Sequence, residues 1–395
     1  MSAPALRVLA VALVVLAASA SLAYLAAPAH AAEGGKIVVA LDFSHGESHK
    51  DVNYIVGNLS SIAKFVFINN SITYDILKNV DVLIIGQPTT SFSASEIAAI
   101  TKWLATGKRV LWVAGDSDYG GGPKSQKAVN SLLVAIGARL RLEYGSVYDG
   151  VHNAKAFYRV LGIVAPDEAP GFHTDMIAQG ITKPVLYHGP DVVIWQDSNG
   201  KYHDPVKDVF PGLIRIVWTY NTAYIADNNP PPLVLYDPTV DVNRTFVMLA
   251  AEVKGDDIIV VSGESPYGDY APTWTWYYHG VQLDGPKFVT NMIKWFKWWV
   301  TSPTTPKPVL PTPTISYLKT TTTTSSTTTS TTTTTTTHTT TTTHTTTNTA
   351  TTTGTTGTAT PTTTTAKHKS RAAVWAAVII VIIIIIIAAV ALARK

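Results

Sequence analysis

Three features of the 395-residue chain put its folded part in the α/β class, as a parallel sheet with helices on both faces and an irregular β-rich insertion. Apolar runs of strand length alternate with stretches of helical spacing from Lys36 to Ile136. Capping and glycine signals bound the helical stretches. The pattern loosens between about residues 145 and 240, then strands and a helix return.

Lys36 to Phe43 is a β-rich run, Asp51 to Ile62 has helical spacing, Phe65 to Ile68 is a short strand, and Val80 to Gly86 is an apolar strand of the buried kind. Ser93-Ala-Ser-Glu96 is a capping box, in which the serine and glutamate side chains satisfy each other's free N–H groups. It opens a helix that places Ile97, Ile100, Trp103 and Leu104 on one face and ends at Gly107. Arg109 to Gly115 is the next strand, and Lys124 to Ile136 the next helix, closed by Gly137. Gly189-Pro190 and Pro230-Pro231-Pro232 forbid long helices in the insertion. Phe246 to Ala251 and Asp257 to Ser262, joined by Lys254-Gly255-Asp256, predict a hairpin or sheet-edge pair, and Phe288 to Val300 a Trp-rich amphipathic helix.

Both ends predict export and anchoring. Residues 1–31 read as a signal peptide, with Arg7, an apolar run, and Ala29-His30-Ala31 before the cut. Ala372 to Ala393 is an uncharged apolar run whose helix, at ~1.5 Å per residue, crosses a ~30 Å hydrocarbon core. The expected layout is an extracellular domain over 32–302, a Pro- and Thr-rich disordered stalk over 303–371, a single membrane span, and a cytoplasmic tail of residues 394–395. Asn58, Asn69 and Asn243 head glycosylation sequons. The formal charge of +3 is misleading, because the folded region has 23 of the 30 basic and 26 of the 27 acidic residues, a net of about −3. That balance excludes a nucleic-acid partner. The absence of cysteine removes disulfides, thiolate metal sites and a thiol nucleophile together.

The segments Asp81-Val-Leu-Ile-Ile-Gly-Gln-Pro88, Phe92-Ser-Ala-Ser-Glu96, Trp103 to Gly107 and Val110 to Asp116, in that order, resemble the flavodoxin-like, class I glutamine-amidotransferase-like fold. Val260 to Glu264 and Phe288 to Trp295 are similar to the end of such domains. The likeness is to the non-amidotransferase branch, the uncharacterised prokaryotic membrane-associated domains that accompany gliding-type ABC transporters. It implies a fold and a transporter or envelope association. With no cysteine at the turn after a central strand, it does not imply amidotransferase chemistry.

In such a sheet, ligands sit beyond the C-terminal ends of the strands. Three polar clusters follow strands here: Asp42 with His45, Glu47 and His49; Asp116 with Ser117, Asp118 and three glycines; and Glu264 with Asp269. They are the candidate ligand-binding residues, expected to line one depression. His45, Glu47 and His49, with Asp42 or Asp116 as another, offer the nitrogen and oxygen ligands of a divalent metal site suited to zinc or manganese; the competing reading is that Asp42 and Ser44 cap turns. Ser117 stands where an elbow nucleophile would, but Tyr119 replaces the second glycine of the motif. Trp274, Trp276 and Tyr278 alternate, which suits either a core strand or an aromatic platform for a glycan or peptide. No cofactor beyond that divalent metal is implied. The reading is a membrane-anchored domain that binds a small molecule, glycan or protein, with a cell-surface hydrolase as the alternative.

Overall fold

Ile37, Val39 and Leu41 share one buried cluster while Ala40, between them, joins another, as the two-residue period of a strand buried on both faces requires. This first strand, β1 (Ile37–Asp42), is followed by α1 (Val52–Leu59), β2 (Ala63–Ile68), α2 (Tyr74–Leu77), β3 (Val82–Ile85), α3 (Ala94–Leu104), β4 (Val110–Ala114) and α4 (Gly122–Ala135). The computed structural model describes residues 35–315, which lie within one compact unit. The expected signal peptide, the Thr-rich stretch and the span Ala372 to Ala393 lie outside the described residues, and among the described residues no helix is long and apolar enough to cross a membrane.

The four strands pair in parallel in the order β2-β1-β3-β4. The chain turns from one side of β1 to the other here, which opens a crevice beyond the strand ends. The helix α1 packs on one face through Val52, Ile55 and Leu59; α3 and α4 pack on the other through Ile100, Trp103, Val129, Leu132 and Leu133. The capping box at Ser93 and Glu96 is complete, and Trp103 sends its indole N–H to the Val80 carbonyl at 2.7 Å. At Gly137, φ is +70°, the left-handed closure that glycine allows at low cost.

The insertion is more closely integrated than its irregular sequence suggests. It holds β5 (Leu140–Leu142), β6 (Ser146–Asp149), β7 (Arg159–Val164), α5 (Asp175–Ala178), β8 (Val185–His188), β9 (Val193–Gln196), β10 (Tyr202–His203), β11 (Leu213–Trp218) and β12 (Ala223–Ala226). Three of these, β7, β8 and β11, extend the main sheet, while the others form small satellite sheets. The expected late strand pair is β13 (Val247–Lys254) antiparallel to β14 (Asp257–Ser262), and β14 lies parallel to β4. The full order is β2-β1-β3-β4-β14-β13-β11-β7-β8, a sheet parallel on one side and antiparallel on the other. A hairpin of β15 (Tyr277–Tyr278) and β16 (Val281–Gln282) turns at His279 and Gly280, both at positive φ, as a tight hairpin demands.

The last helix, α6 (Gly285–Thr301), lies on the α1 face and buries Phe288, Met292, Trp295, Phe296 and Trp299. Each such side chain contributes roughly 1.5–3 kcal/mol. Beyond Ser302 the chain does not leave the domain at once. The expected stalk segment from Pro303 runs along it to Ile315, exchanging backbone bonds between Thr312 and Glu168 at 2.8 and 3.1 Å, and burying Ile315.

Candidate functional site

Asp42 ends β1, Gln87 follows β3, Asp116 follows β4 and Glu264 follows β14, so all are delivered to one end of the sheet. Gly268 fastens the first and third loops together. It bridges to Lys50, and a Cβ there would stand 1.9 Å from the Ser48 carbonyl oxygen, a space only glycine leaves open.

The loops enclose two adjoining chambers. An inner one of about 160 Å³ is lined by Glu47, Gln87, Thr89, Asp116, Ser125 and Asp269, among others. An outer one of about 500 Å³ is lined by Asp116, Tyr119, Tyr158, His188, Asp269 and Tyr270, with Ser117, Tyr148 and Phe157. Asp116 and Asp269 belong to both. Tyr119 and Tyr270 are 72% and 70% exposed, and such large aromatic side chains left open at the mouth of a cleft mark a binding surface.

Two of the carboxyls are held far from their ordinary state. Burial, then the charge of Asp42, pushes Glu47 up to about 8, while burial, then the charge of Asp269, pushes Asp116 up to about 7. Glu47 accepts the His45 backbone N–H through Oε2, but its buried Oε1 has no hydrogen-bond partner; neither does the buried Ser125 hydroxyl. Buried orphans of this kind are rare and cost free energy unless something satisfies them.

Behind the inner chamber His45 lies between two acids, its Nδ1 2.7 Å from Asp42 and its Nε2 3.4 Å from Glu96, with Phe92 packed on the ring at 4.2 Å. Burial lowers its pKa, but the bond to Asp42 and the surrounding carboxylates outweigh that and raise it. Glu96 is held down to about 2: burial opposes this, and bonds from Ser93, Ile72 and Ser71 overcome it.

The structure sorts the candidate residues. Glu47, Asp116 and Asp269 line the cleft. Asp42 does what a turn cap does, accepting Ser44 N–H and O–H and orienting His45. Of the expected metal ligands, Asp42, His45 and Glu47 come together, the only trio close enough for one ion among the described residues, whereas His49 is exposed and stacks on Phe43 at 4.0 Å. In that trio His45 already meets Asp42 through Nδ1, and its Nε2 faces Glu96. Asp118 is fully buried and clamps Ser146, Asn228 and Asn229, so it belongs to a loop lock rather than the site. Glu264 lies beneath the cleft, accepting from His188 N, Ser265 N and Gln87 Nε2; burial, then Asp269 and Asp116, raise its pKa. The Ser117 hydroxyl accepts the Tyr119 N–H at 3.3 Å, and among the described residues no histidine is hydrogen-bonded to it.

Trp274, Trp276 and Tyr278 all line one pocket of about 190 Å³ beside Tyr270, but they differ in exposure. Trp274 is buried, Tyr278 is half-buried, and Trp276 is 54% exposed with Tyr54 against its ring edge at 5.6 Å. Asn58, Asn69 and Asn243 are exposed. The outer chamber also uses Tyr148, Phe157, Tyr158 and His188, which sequence reasoning did not single out. Aromatic density between residues 144 and 158 is the only signal for the first three and His188 has none; it takes the pairing of β6 with β12 and of β7 with β8 to bring them to the strand ends.

No family model matches the chain, and no curated protein matches it in sequence. Among solved structures, the mmIFT52 N-terminal domain is similar over 68% of this chain and 99% of that one, at 12% identity and a TM-score of 0.42. A ThuA-like protein from Bacteroides uniformis is similar over 71% of this chain and 98% of its own, at 13% identity and a TM-score of 0.33. A GMP synthase protein from Thermoplasma acidophilum is similar over 67% of this chain and 96% of its own, at 11% identity and a TM-score of 0.32.

Proposed function

We propose that this chain is a surface-displayed capture domain, which binds a small organic molecule in the two-chambered cleft and is held at the outer face of a membrane by the Thr-rich segment and the apolar segment Ala372 to Ala393. The observation that carries the reading is the outer chamber of about 500 Å³, with Tyr119 and Tyr270 open to solvent beside Asp116 and Asp269. Concave, aromatic-lined space with a few converging polar groups is how small-molecule sites are built. The resemblance to the non-amidotransferase branch of the glutamine-amidotransferase-like fold supports binding over glutamine hydrolysis, since the chain has no cysteine. A transporter or envelope partner would take the captured molecule onward.

The test is thermal melting and calorimetry of the full chain in detergent against a panel of amines, neutral sugars, polyols and carboxylic acids. At least one class is expected to bind, to be recovered unchanged, to lose affinity about tenfold or more in Tyr270→Ala, and to be indifferent to Asn69→Gln. Conversion of the bound molecule, abolished by Ser117→Ala, would replace this reading with a hydrolase.

A further inference from the structure

We infer that the molecule captured is an organic cation, whose protonated amine seats among Glu47, Asp116 and Asp269 while its carbon body lies against Tyr119, Tyr158 and Tyr270. The inference rests on the capture reading and gives the site its ligand class.

Charge is the first ground. Three carboxyls line the chambers and no lysine or arginine does. Two cations flank the outer chamber without lining it: Lys50 bonds the Tyr270 carbonyl and lies 5.2 Å from the centre of its ring, and Arg159 bonds the Tyr158 hydroxyl and lies 5.1 Å from the centre of that ring. The second ground is independent of charge. Glu47 Oε1 is a buried acceptor and Ser125 Oγ a buried hydroxyl, both without partners, with Glu47 only 7% and Ser125 2% exposed, and both residues line the inner chamber. An ammonium group presents three donors at one point, which is what surplus acceptors in a confined space require.

The aromatic chamber fits the rest of such a ligand. Ring faces attract a cation, more strongly as water is excluded. His188, stacked on Tyr270 at 5.2 Å, has its pKa lowered by burial, so it adds no competing positive charge near neutrality.

The protonation of the acids supplies a signature. Asp42, His45 and Tyr267 surround Glu47, and Asp269, Asp118 and the buried Glu264 surround Asp116. Near neutrality Glu47 holds its proton and Asp116 is part-protonated. A seated ammonium would favour the ionised forms, so binding would expel protons and tighten as pH rises through about 7 to 8.

The experiment uses the full chain in detergent with two probes of nearly one shape, phenethylamine and 2-phenylethanol, and glucose as a neutral sugar. Calorimetry at pH 8 in two buffers of different ionisation enthalpy is expected to show phenethylamine binding at least about tenfold more tightly than 2-phenylethanol, with net proton release, and weakening about tenfold at pH 6. Glu47→Gln and Asp116→Asn are each expected to lower amine affinity about tenfold and diminish the proton release while melting no lower than the parent, so loss of binding is not loss of fold. Equal binding of the amine and the alcohol, or glucose binding that ignores Asp116→Asn, would overturn the cation and leave capture standing. If no member of the wider panel binds, capture falls as well.

Discussion

Glu47 and Asp116 illustrate how a site residue differs from a structural one. Each is buried and short of compensating donors, so its proton is held more tightly in the folded chain than in the unfolded one: about 8 against 4.5 for Glu47, and about 7 against 3.8 for Asp116. A group that binds its proton more tightly when folded favours the native state below its unfolded pKa, and that contribution disappears as pH rises through the folded value. Stability should therefore fall between about pH 4 and pH 8. The double variant Glu47→Gln/Asp116→Asn is expected to flatten much of that slope and, at pH 8, to exceed the parent by at least about 1 kcal/mol. Urea melts at pH 5 and pH 8 check this, and an unchanged slope would mean the carboxyls are solvated. His45, also raised, adds a residual decline above 6.5 that the variant keeps. Glu96 works in the opposite direction, stabilising above 4.5 and losing its effect as pH falls toward 2.

At the scale of elements, those with a local rule were legible and those with a distant partner were not. The capping box, the glycine closures and the strand pair around Gly255 are set by residues a few positions apart, and each is where the sequence puts it. The strand β11, Leu-Ile-Arg-Ile-Val-Trp, hides behind a charge. Arg215 would mark a surface strand, yet it is 3% exposed because Asp167, 48 positions away, takes it with a fork at 2.8 and 3.0 Å. No local pattern announces such a partner, so the insertion reads as irregular although its strands build the far half of the sheet. Asp167→Ala would leave the guanidinium buried and unpaired, at an expected cost of about 3–5 kcal/mol in denaturant melts. Asp167→Leu with Arg215→Met, which removes both charges, should lose much less. Equal losses would mean that packing, and not the ion pair, sets the cost.

For the whole molecule, the topology made the location of the site legible and its composition only partly so. Parallel strands delivering Asp42 and Asp116 to one end follow from alternation, whereas the place of β14 beside β4 that brings Glu264 there, and the division into lining carboxyls, a turn cap and buried supports, depend on which element folds over which. The domain's end was legible in the same partial way. Five prolines between Pro303 and Pro313 mark a stiff segment, and stiffness does not distinguish a stalk from a strap. Here the strap holds the body: Val309 accepts the Gly212 N–H, Thr305 bonds Asp256, Thr312 pairs with Glu168 and Ile315 is buried beneath. Proteolysis requires backbone that can leave its partners, so nonspecific protease is expected to spare Pro303 to Ile315 as well as residues 145 to 240, and to leave a resistant core whose mass ends at or after Ile315. A chain stopped at Ser302 should melt lower than one stopped at Ile315, by about 2 kcal/mol or more from the buried isoleucine and the lost backbone bonds. A protected fragment ending near Ser302, or equal stability of the two truncations, would show that the segment belongs to the tether and not to the domain.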